Sequence, residues 1–432
     1  MFASHLLVLL APLVASQTVP AQLYSNLIPQ KVLATNKALP VPVEYPQYTD
    51  TQVGKWLYFI PDTWTSGFFP TTLYALNTRK NLCGATSANG LNAADWLTLG
   101  RSASNGLIPL ELHNTQGHDV GFLSFPFVEE LTINPTNKTA LTAVKQFAGC
   151  VQNFPGLEVG IIHSAVADLA ARFDPIVGCT RSWDTADPTD FTVIIDNMMN
   201  LEILWVAYGL TGNNTLRDIA LAHADTTMKN HIRPDGSTWH VVEYNSTTGV
   251  VIRKRTQQGF SDNRSISHLT GLIFIALHEL YSTWSRGQAW GLYGFANMYK
   301  HSKNVTYLQT ATRLADYFLD NLPSDGIVPW DFNAPLTPPP RPADSSAATI
   351  AATGLLLMGT LDKTNSQKWI NAAINLLSKI TNLAWRPSWQ SLLSNGTVNW
   401  PANNFLTGIV YGDYYYIKAG NDLITMGLAK CP

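Results

Sequence analysis

The chain has 432 residues with 28 basic and 30 acidic side chains, so its formal net charge is −2. Charged residues make up 13% of the chain, against about 25% in an average soluble protein, whereas 46% of the residues are apolar. This composition excludes a disordered chain, and a pI near 6.5 leaves no basic surface for nucleic acid. The 13 Trp and 16 Tyr residues favour a ligand with sugar-like faces.

The first 16 residues predict a signal peptide. An apolar run from Leu6 to Leu13 is followed by the small residues Ala15 and Ser16, which fit a cleavage site before Gln17. The run is far shorter than the roughly 20 residues of a membrane span, so we predict a secreted protein without a membrane partner. Six Asn-x-Ser/Thr sequons agree with a secretory route, and they begin at Asn137, Asn213, Asn245, Asn263, Asn304 and Asn395.

The cysteines predict structural roles. Four of them, Cys83, Cys150, Cys179 and Cys431, allow three pairings in an oxidising compartment. None has the spacing of metal ligands. We therefore expect disulfides or buried free thiols and no metal site at these positions.

Helix-length apolar segments with polar, Gly-marked or Pro-marked breaks between them dominate the chain and predict an all-α fold with short hairpin and loop excursions. Helices are predicted at 141–154, 163–173, 196–208, 215–230, 284–301, 307–321, 345–360, 367–383 and 414–429. Gly209 is the predicted end of the helix at 196–208. One strand pair is predicted at 239–244 and 250–253.

Asp196 lies in the almost wholly apolar segment VIIDNMMNLEILWVAYG. A carboxylate among Ile195, Met199 and Ile203 loses hydration, so its pKa is expected to rise and it can hold a proton near neutral pH. A general acid requires this property. The alternative is a structural role as the N-cap of the following helix, and the two roles are compatible.

Asp119 follows His118 in the segment GHDVGFLSF. A His-Asp pair before a Gly-Phe turn can present two polar side chains to a cleft, and a protonated His118 would favour ionised Asp119. Together, Asp119 and Asp196 would form the paired carboxylates of carbohydrate enzymes. The alternative for Asp119 is a turn in which its carboxylate accepts backbone N–H groups.

Arg286 and Trp290 are four residues apart and therefore share one face of the predicted helix at 284–301. Such a pair can bind an anionic sugar, with the guanidinium on the carboxylate and the indole over the ring. The alternative is a core tryptophan beside a capping arginine. Trp64, His240 and Gln258 are weaker single-residue candidates.

Several segments, taken together and in order, resemble glycoside hydrolase family 88, the unsaturated glucuronyl hydrolases, in their secreted fungal type. They are WTSGFFP, GHDVGF, RSWD, IDNMMNLEILW, WHVVEY, QGFSDN, STWSRGQAWGLYGFA, DFNAP with DSSAA, and YGDYYY. They extend from Trp64 to Tyr416, almost the whole mature chain. The resemblance implies a single (α/α)6 barrel over residues 17–432 and no need for a metal or organic cofactor.

The resemblance also implies a substrate and a chemistry. The substrate is an oligosaccharide with an unsaturated uronic acid at its non-reducing end, of the kind that polysaccharide lyases produce. Asp196 would protonate C4 of the C4=C5 vinyl ether before water adds at C5, and Asp119 would hold sugar hydroxyls and support the developing charge. The resemblance assigns stacking or pocket walls to Trp64 and Trp290, and polar contacts to the sugar or water to His118, His240, Gln258 and Arg286.

One segment departs from the family pattern. Gln258 and Arg286 are 28 residues apart, where the family has about ten, and the surplus equals the 18 residues of RSISHLTGLIFIALHELY at 264–281. Deleting that segment joins QGFSDN directly to STWSRGQAWG. We predict a retained or mispredicted intron made of whole codons, and a genuine surface loop or one buried helix is the alternative.

Three other functions remain open from the sequence. An unsaturated rhamnogalacturonyl hydrolase of family 105 shares the fold and the hydration chemistry. The chain is alternatively an inactive sugar-binding relative or a conventional inverting glycosidase. The segments IDNMMNLEILW, WHVVEY and WSRGQAWGLYGFA favour family 88. The sequence does not predict the oligomeric state.

Overall fold

The computed structural model describes residues 18–149, 168–187, 189–260, 282–336 and 342–431. Within these ranges, six inner helical elements form a closed ring, and outer helices pack around it. This is an (α/α)6 barrel, which confirms the predicted all-α fold class. The predicted signal peptide, the segment 264–281 and the sequon at Asn263 lie outside the described residues.

The chain alternates between the two rings. The inner helices are α2 (Phe68–Cys83), α4 (Val120–Ile133), the consecutive α6 (Asn197–Asn200) and α7 (Glu202–Thr211), α9 (Ser285–Ser302), α11 (Ser345–Leu361) and α13 (Val410–Thr425). The outer helices are α1 (Leu27–Lys37), α3 (Trp96–Ser104), α5 (Lys138–Ala148), α8 (Asn214–His231), α10 (Val305–Asp320) and α12 (Ser366–Ala384). From α3 onward, each outer helix packs against the inner helix before it.

The two rings differ in how they bury apolar residues. Inner helices are covered on nearly all sides, and α11 buries almost every residue along its length. Outer helices bury one stripe with a spacing of three or four residues, which is the amphipathic pattern of a surface helix. In α10 the stripe consists of Tyr307, Thr310, Ala311, Leu314, Ala315 and Phe318.

The ring closes where α13 packs against α2. The buried guanidinium of Arg79 on α2 donates to the Ile417 carbonyl (2.8 Å) and to the Asn421 side chain (2.8 Å) on α13. A disulfide between Cys83 and Cys431 links the end of α2 to the end of the chain. Polar contacts and a covalent bond therefore hold this junction together.

The Cys83–Cys431 disulfide shows which of the pairings left open by the sequence is present. Cys179 is a buried free thiol. Cys150 lies outside the described residues. In the part of the chain that the structure describes, no helix is long and apolar enough to span a membrane.

The strands lie in connections that lead from an outer helix to the next inner helix. They are β1 (Tyr45–Thr49), β2 (Trp56–Phe59), β3 (Phe173–Asp174), β4 (Cys179–Thr180), β5 (Asp190–Ile194), β6 (Val241–Asn245), β7 (Val251–Arg255), β8 (Gly396–Asn399) and β9 (Asn404–Thr407). Strands β5, β6 and β7 form one antiparallel sheet, with Ile194 opposite Val241. The strands therefore lie at one end of the barrel, the end at which the inner helices begin.

Most of the predicted elements are present. The helices predicted at 215–230, 284–301, 307–321, 345–360 and 367–383 are confirmed to within two residues at each end. The predicted hairpin is present as β6 and β7, and β5 adds a third strand that the sequence did not predict.

Four predicted helices need correction. The helix at 196–208 is broken at Leu201 and ends at Gly212, whose φ of 68° is left-handed, rather than at Gly209. Of the helix predicted at 163–173, residues 163–167 lie outside the described residues, and residues 170–172 form a 3-10 turn that leads into β3. Helix α5 begins three residues before the predicted 141–154 and is followed by left-handed Gly149, and residues 150–154 lie outside the described residues. Helix α13 begins and ends four residues before the predicted 414–429.

Candidate active site

The beginnings of the inner helices and the strand-bearing loops together form the candidate site. The partial positive charge of helix N-termini favours an anionic ligand at this end of the barrel. The predicted site residues lie on these loops or in the first two turns of an inner helix. They are Trp64, His118, Asp119, Asp196, His240, Gln258, Arg286 and Trp290.

The two predicted catalytic carboxylates are not used as helix caps. Asp119 occupies the N-cap position of α4 and Asp196 that of α6, but neither side chain makes a capping hydrogen bond. Asp344 does cap α11, accepting the Ser346 N–H at 3.0 Å. The capping role considered for Asp196 is therefore wrong for its side chain.

A close helix contact sets the positions of the two carboxylates. The Asn200 Oδ1 on α6 accepts the Phe122 N–H of α4 at 2.9 Å. A Cβ at Gly121 would lie 2.6 Å from the Asn200 Cα, so only glycine permits this approach. Because Asp119 and Asp196 immediately precede these two helices, the contact fixes one carboxylate relative to the other.

The surroundings of Asp196 prepare it to hold a proton. The residue is 9% exposed, and its Oδ1 has no hydrogen-bond partner in the part of the chain that the structure describes. Burial raises the pKa of Asp196 to about 7; His118 and Arg286 oppose this rise, and the negative charge of Asp119 adds to it. A carboxyl group that titrates near neutral pH suits a general acid.

Two buried histidines, His118 and His240, lie near these carboxylates. His118 is fully buried, and its Nε2 lies 3.1 Å from the Asp119 Oδ1. His240 is buried, and its Nδ1 accepts the backbone N–H groups of Gln257 (3.2 Å) and Gln258 (3.4 Å). These bonds assign the neutral tautomer with hydrogen on Nε2, and burial lowers the pKa of His240 well below its usual value. His240 therefore offers one N–H donor.

Arg286 lies on the first turn of α9, where protein acceptors engage both of its terminal nitrogens. One bonds the Asp344 Oδ2 at 2.8 Å and the Thr397 carbonyl, and the other bonds the Gln258 Oε1 at 2.7 Å and the Val398 carbonyl at 2.8 Å. The Nε atom has no partner among the described residues. The prediction that the Arg286 guanidinium pairs with a sugar carboxylate therefore needs correction, because only its Nε–H group remains available to a ligand.

The two predicted tryptophans lie in one aromatic cluster, at different depths. Trp64 is half-buried, with its ring centroid 5.0 Å from that of Tyr411 and 5.6 Å from that of Phe122. Trp290 has no exposed surface and packs against Phe122 at 5.3 Å. The expectation that Trp290 covers a sugar ring is therefore wrong for this structure, and the residue supports the wall from behind. The contact of Trp64 with a sugar stays a prediction.

Sequence reasoning missed four residues of this region. Trp284 stacks on His240 with 4.3 Å between ring centroids, and Trp183 lies edge-on at 6.2 Å. Tyr411 packs against Trp64, and Asp344 pairs with Arg286. Each lies in a segment that carries the family resemblance. The resemblance was the available signal, since aromatic and capping residues look like core residues in a sequence.

Several buried polar atoms at the site have no hydrogen-bond partner among the residues that the structure describes. They are the His118 Nδ1, Asp196 Oδ1, His240 Nε2, Arg286 Nε and Trp290 Nε1. Buried polar groups in proteins are nearly always hydrogen-bonded, so such a concentration indicates a place where ligand or water completes the bonds.

The residues that the structure describes include no group of three or more His, Cys, Asp or Glu side chains arranged to hold a metal ion. That the reaction needs no metal or organic cofactor stays a prediction. The individual roles of the site residues also stay predictions.

Comparisons with known proteins place this site in a family. No protein-family model matches the chain. The unsaturated glucuronyl hydrolase of Formosa agariphila is 34% identical over 366 residues, 82% of this chain and 78% of the relative. The unsaturated chondroitin disaccharide hydrolase of Streptococcus pyogenes is 28% identical over 70% of this chain and 68% of its own.

Solved structures give the same result. The crystal structure of an unsaturated glucuronyl hydrolase specific for heparin is 27% identical and superimposes with a TM-score of 0.77. The alignment covers 95% of this chain and 98% of that one. The chain therefore belongs to the unsaturated glucuronyl hydrolases, glycoside hydrolase family 88.

Proposed function

We propose that this chain removes the unsaturated uronic acid from the non-reducing end of lyase-produced oligosaccharides by hydrating its C4=C5 double bond. The observation that carries the proposal is Asp196, a buried carboxyl group with a pKa of about 7 and an unpartnered oxygen, beside Asp119 and His118. Hydration of a vinyl ether needs a proton donor and water. It needs no nucleophilic attack at the anomeric carbon.

The proposed reaction balances as an addition of one water molecule. The Asp196 carboxyl proton goes to C4, which leaves an oxocarbenium ion shared by C5 and the ring oxygen. Water adds to C5 and returns a proton to Asp196. The C5 hemiketal opens to a ketone, and the hemiacetal left at C1 then expels the leaving sugar as an alcohol with formation of an aldehyde.

Other residues of the site support this sequence of steps. Ionised Asp119 is placed to stabilise the developing positive charge, since its negative charge already acts on Asp196. The N–H donors at the His240 Nε2 and the Arg286 Nε are available for the uronate oxygens. The helix N-termini add a field that favours the anionic substrate.

The relatives support the substrate class. One is described as an unsaturated chondroitin disaccharide hydrolase and another as specific for heparin. Both polymers contain uronic acids, so we propose an unsaturated glucuronyl group as the sugar that is removed. A galacturonyl preference would instead favour the family 105 activity.

A reaction in heavy water tests substrate and chemistry together. Lyase-made disaccharides of chondroitin, heparin and pectic type are incubated with the chain, and the ultraviolet absorbance of the conjugated double bond is followed. We expect the absorbance to fall with a glycosaminoglycan disaccharide and the product to carry deuterium at C4.

Each other outcome contradicts part of the proposal. Release of the leaving sugar without deuterium at C4 would indicate ordinary glycoside hydrolysis. Turnover confined to the pectic disaccharide would indicate the rhamnogalacturonyl activity. Binding with unchanged absorbance would indicate an inactive sugar-binding relative.

We also propose that the chain is a secreted glycoprotein of the fungal type, cleaved before Gln17. Asn213 and Asn304 are exposed sequon residues at the N-caps of α8 and α10. Each caps through Oδ1, which leaves Nδ2 for glycan attachment. The Nδ2 of Asn137 instead donates to the Glu130 carboxylate at 2.8 Å.

Expression with the natural leader in a secreting yeast tests this proposal. We expect an N-terminus at Gln17 and glycans on Asn213 and Asn304, read by peptide mass spectrometry with and without endoglycosidase. Asn213→Asp and Asn304→Asp keep a capping oxygen and remove only the glycan. A secreted chain without glycans at these positions would contradict the assignment.

The segment 264–281 remains proposed as a retained or mispredicted intron. Transcript reads that uniformly contain it would refute this proposal.

A further inference from the structure

Asp344 is not among the predicted site residues, but it directly contacts one of them, Arg286. Its side chain is fully buried and performs two tasks with its two oxygens. Oδ1 caps α11 by accepting the Ser346 N–H (3.0 Å) and the Ser346 hydroxyl (2.6 Å). Oδ2 accepts from a terminal nitrogen of Arg286 at 2.8 Å.

The pair between Asp344 and Arg286 is almost free of solvent. The side chains are 0% and 2% exposed. A buried guanidinium without a counterion is strongly unfavourable, so the carboxylate determines whether Arg286 remains in place. The Thr397 and Val398 carbonyls of β8 occupy two further N–H groups and restrict rotation of the guanidinium.

Contacts of Arg286 connect it to His240 in the candidate pocket. It donates to the Gln258 Oε1, and the Gln258 backbone N–H donates to the His240 Nδ1. The same guanidinium lies over the Trp284 ring at 4.5 Å, and Trp284 stacks on His240. Two routes therefore connect Arg286 to the orientation of the His240 ring.

We propose that Asp344 is a positioning residue for the reaction, holding Arg286 so that the Arg286 Nε–H and, through Gln258, the His240 Nε2–H keep fixed positions toward the uronate. This inference rests on the proposed function. Asp344 itself contacts no substrate, and its effect is carried by Arg286.

The charge of Asp344 also acts on the acid through Arg286. Charged or titratable groups around Asp196 are His118 and Asp119 from the start of α4, Arg286 from α9, and Tyr411 from α13. His240 in turn faces Arg286 and His118. With Asp344 neutral, the positive charge of Arg286 is uncompensated and stabilises ionised Asp196 more strongly, so the pKa of Asp196 falls.

Asp344→Asn is the test, because asparagine keeps the capping oxygen and the side-chain shape, and replaces the charged acceptor that faces Arg286 with a neutral NH2 group. We expect kcat/KM on the preferred disaccharide to fall about 10- to 100-fold, mainly through a higher KM. The high-pH decline of kcat/KM should also begin at a lower pH than in the unchanged chain. Asp95→Asn is the matched control, since Asp95 caps the outer helix α3 through the Thr98 N–H.

A double-mutant cycle separates positioning from a merely structural role. In an Arg286→Gln background, adding Asp344→Asn should cause no further loss of kcat/KM, and this pair leaves no unpaired buried charge if the single variant fails to fold. An equal further loss in that background would overturn the proposal, as would a single variant with unchanged kcat/KM and pH profile. An unchanged chain inert on every unsaturated disaccharide would instead refute the proposed function.

Discussion

The two ends of the inner ring treat buried polar groups differently. Where the inner helices begin, polar atoms of Asp196, His240 and Arg286 are buried with no hydrogen-bond partner among the described residues. Farther along the inner helices, several charged side chains are paired: the Glu202 carboxylate bonds His301 at 2.7 Å and Lys300 at 3.3 Å, and Lys418 bonds Asp422 at 3.0 Å.

Space alone does not distinguish the two ends. A cavity of about 340 Å³ lies at the paired end and is lined by residues of α4, α7, α9, α11 and α13, including Tyr293 and Lys418. Its lysines have carboxylate partners within the protein.

The sharpest test of this contrast is Asp196→Asn. We expect kcat to fall about 10²- to 10⁴-fold because the proton donor is lost, while disaccharide binding is retained. Stopped absorbance assays and equilibrium binding measure the two quantities. Near-normal turnover would remove Asp196 from the role of acid.

The pH dependence follows from the same residue. Since the pKa of Asp196 is raised to about 7, kcat/KM of the unchanged chain should decline as pH rises through about 7. A raised carboxyl pKa also means that the folded chain loses stability as pH rises through that value. At pH 8, Asp196→Asn should therefore be more stable than the unchanged chain by about 1 to 3 kcal/mol, measured by urea denaturation. Equal stability at pH 8 would contradict the burial argument.

A smaller effect is expected when the contact between α4 and α6 is forced apart. Gly121→Ala places a methyl group against the Asn200 backbone, so we expect about 1 to 3 kcal/mol loss of stability and a roughly tenfold lower kcat/KM. Gly209→Ala on α7 is the control. A Cβ there meets no atom within 4 Å, and stability should rise by up to about 1 kcal/mol. Equal activity of both variants would show that this contact does not set the carboxylate geometry.

The smallest effect is expected at the opposite end. Burial opposes ionisation of Glu202, but the hydrogen bond from His301 and the charge of Lys300 outweigh it and lower the pKa to about 2. Glu202→Gln should cost about 1 kcal/mol at pH 7, and this difference should shrink as pH falls from about 4.5 toward 2. Activity should be unchanged. A lower kcat would mean that the two ends are coupled.

The sequence predicted α8, α10 and α12 of the outer ring and α9 and α11 of the inner ring to within two residues, and it missed α1 and α3 as well as α2 and α4. A stripe such as that of α10 repeats every three or four residues and marks both the helix and its buried face. Helices α2 and α4 were missed because they are buried on most sides and carry Pro70 and Pro126, so neither periodicity nor propensity marks them. Tertiary burial, which a sequence does not display, makes these segments helical.

For the candidate site, the sequence predicted the burial of Asp196 but not the hydrogen bonds of Arg286. Asp196 was recognisable from its apolar neighbours, since burial follows from them and raises its pKa. The occupied nitrogens of Arg286 depend on Asp344 and on β8, which lie 58 and more than 100 residues away in the chain. Contacts over such separations determine which donors remain free for a substrate.

The disulfide at the seam between α13 and α2 gives Cys431 a structural role in closing the ring. Cys83 is the last residue of α2 and lies at the end of the inner ring that is away from the candidate site. Its disulfide bond to Cys431 closes a covalent loop with a sequence separation of 348 residues. Such a loop restricts the unfolded chain far more than the folded barrel. The disulfide therefore closes the barrel covalently at the end away from the candidate site. At the site end of the seam, the described contacts between α13 and α2 are noncovalent.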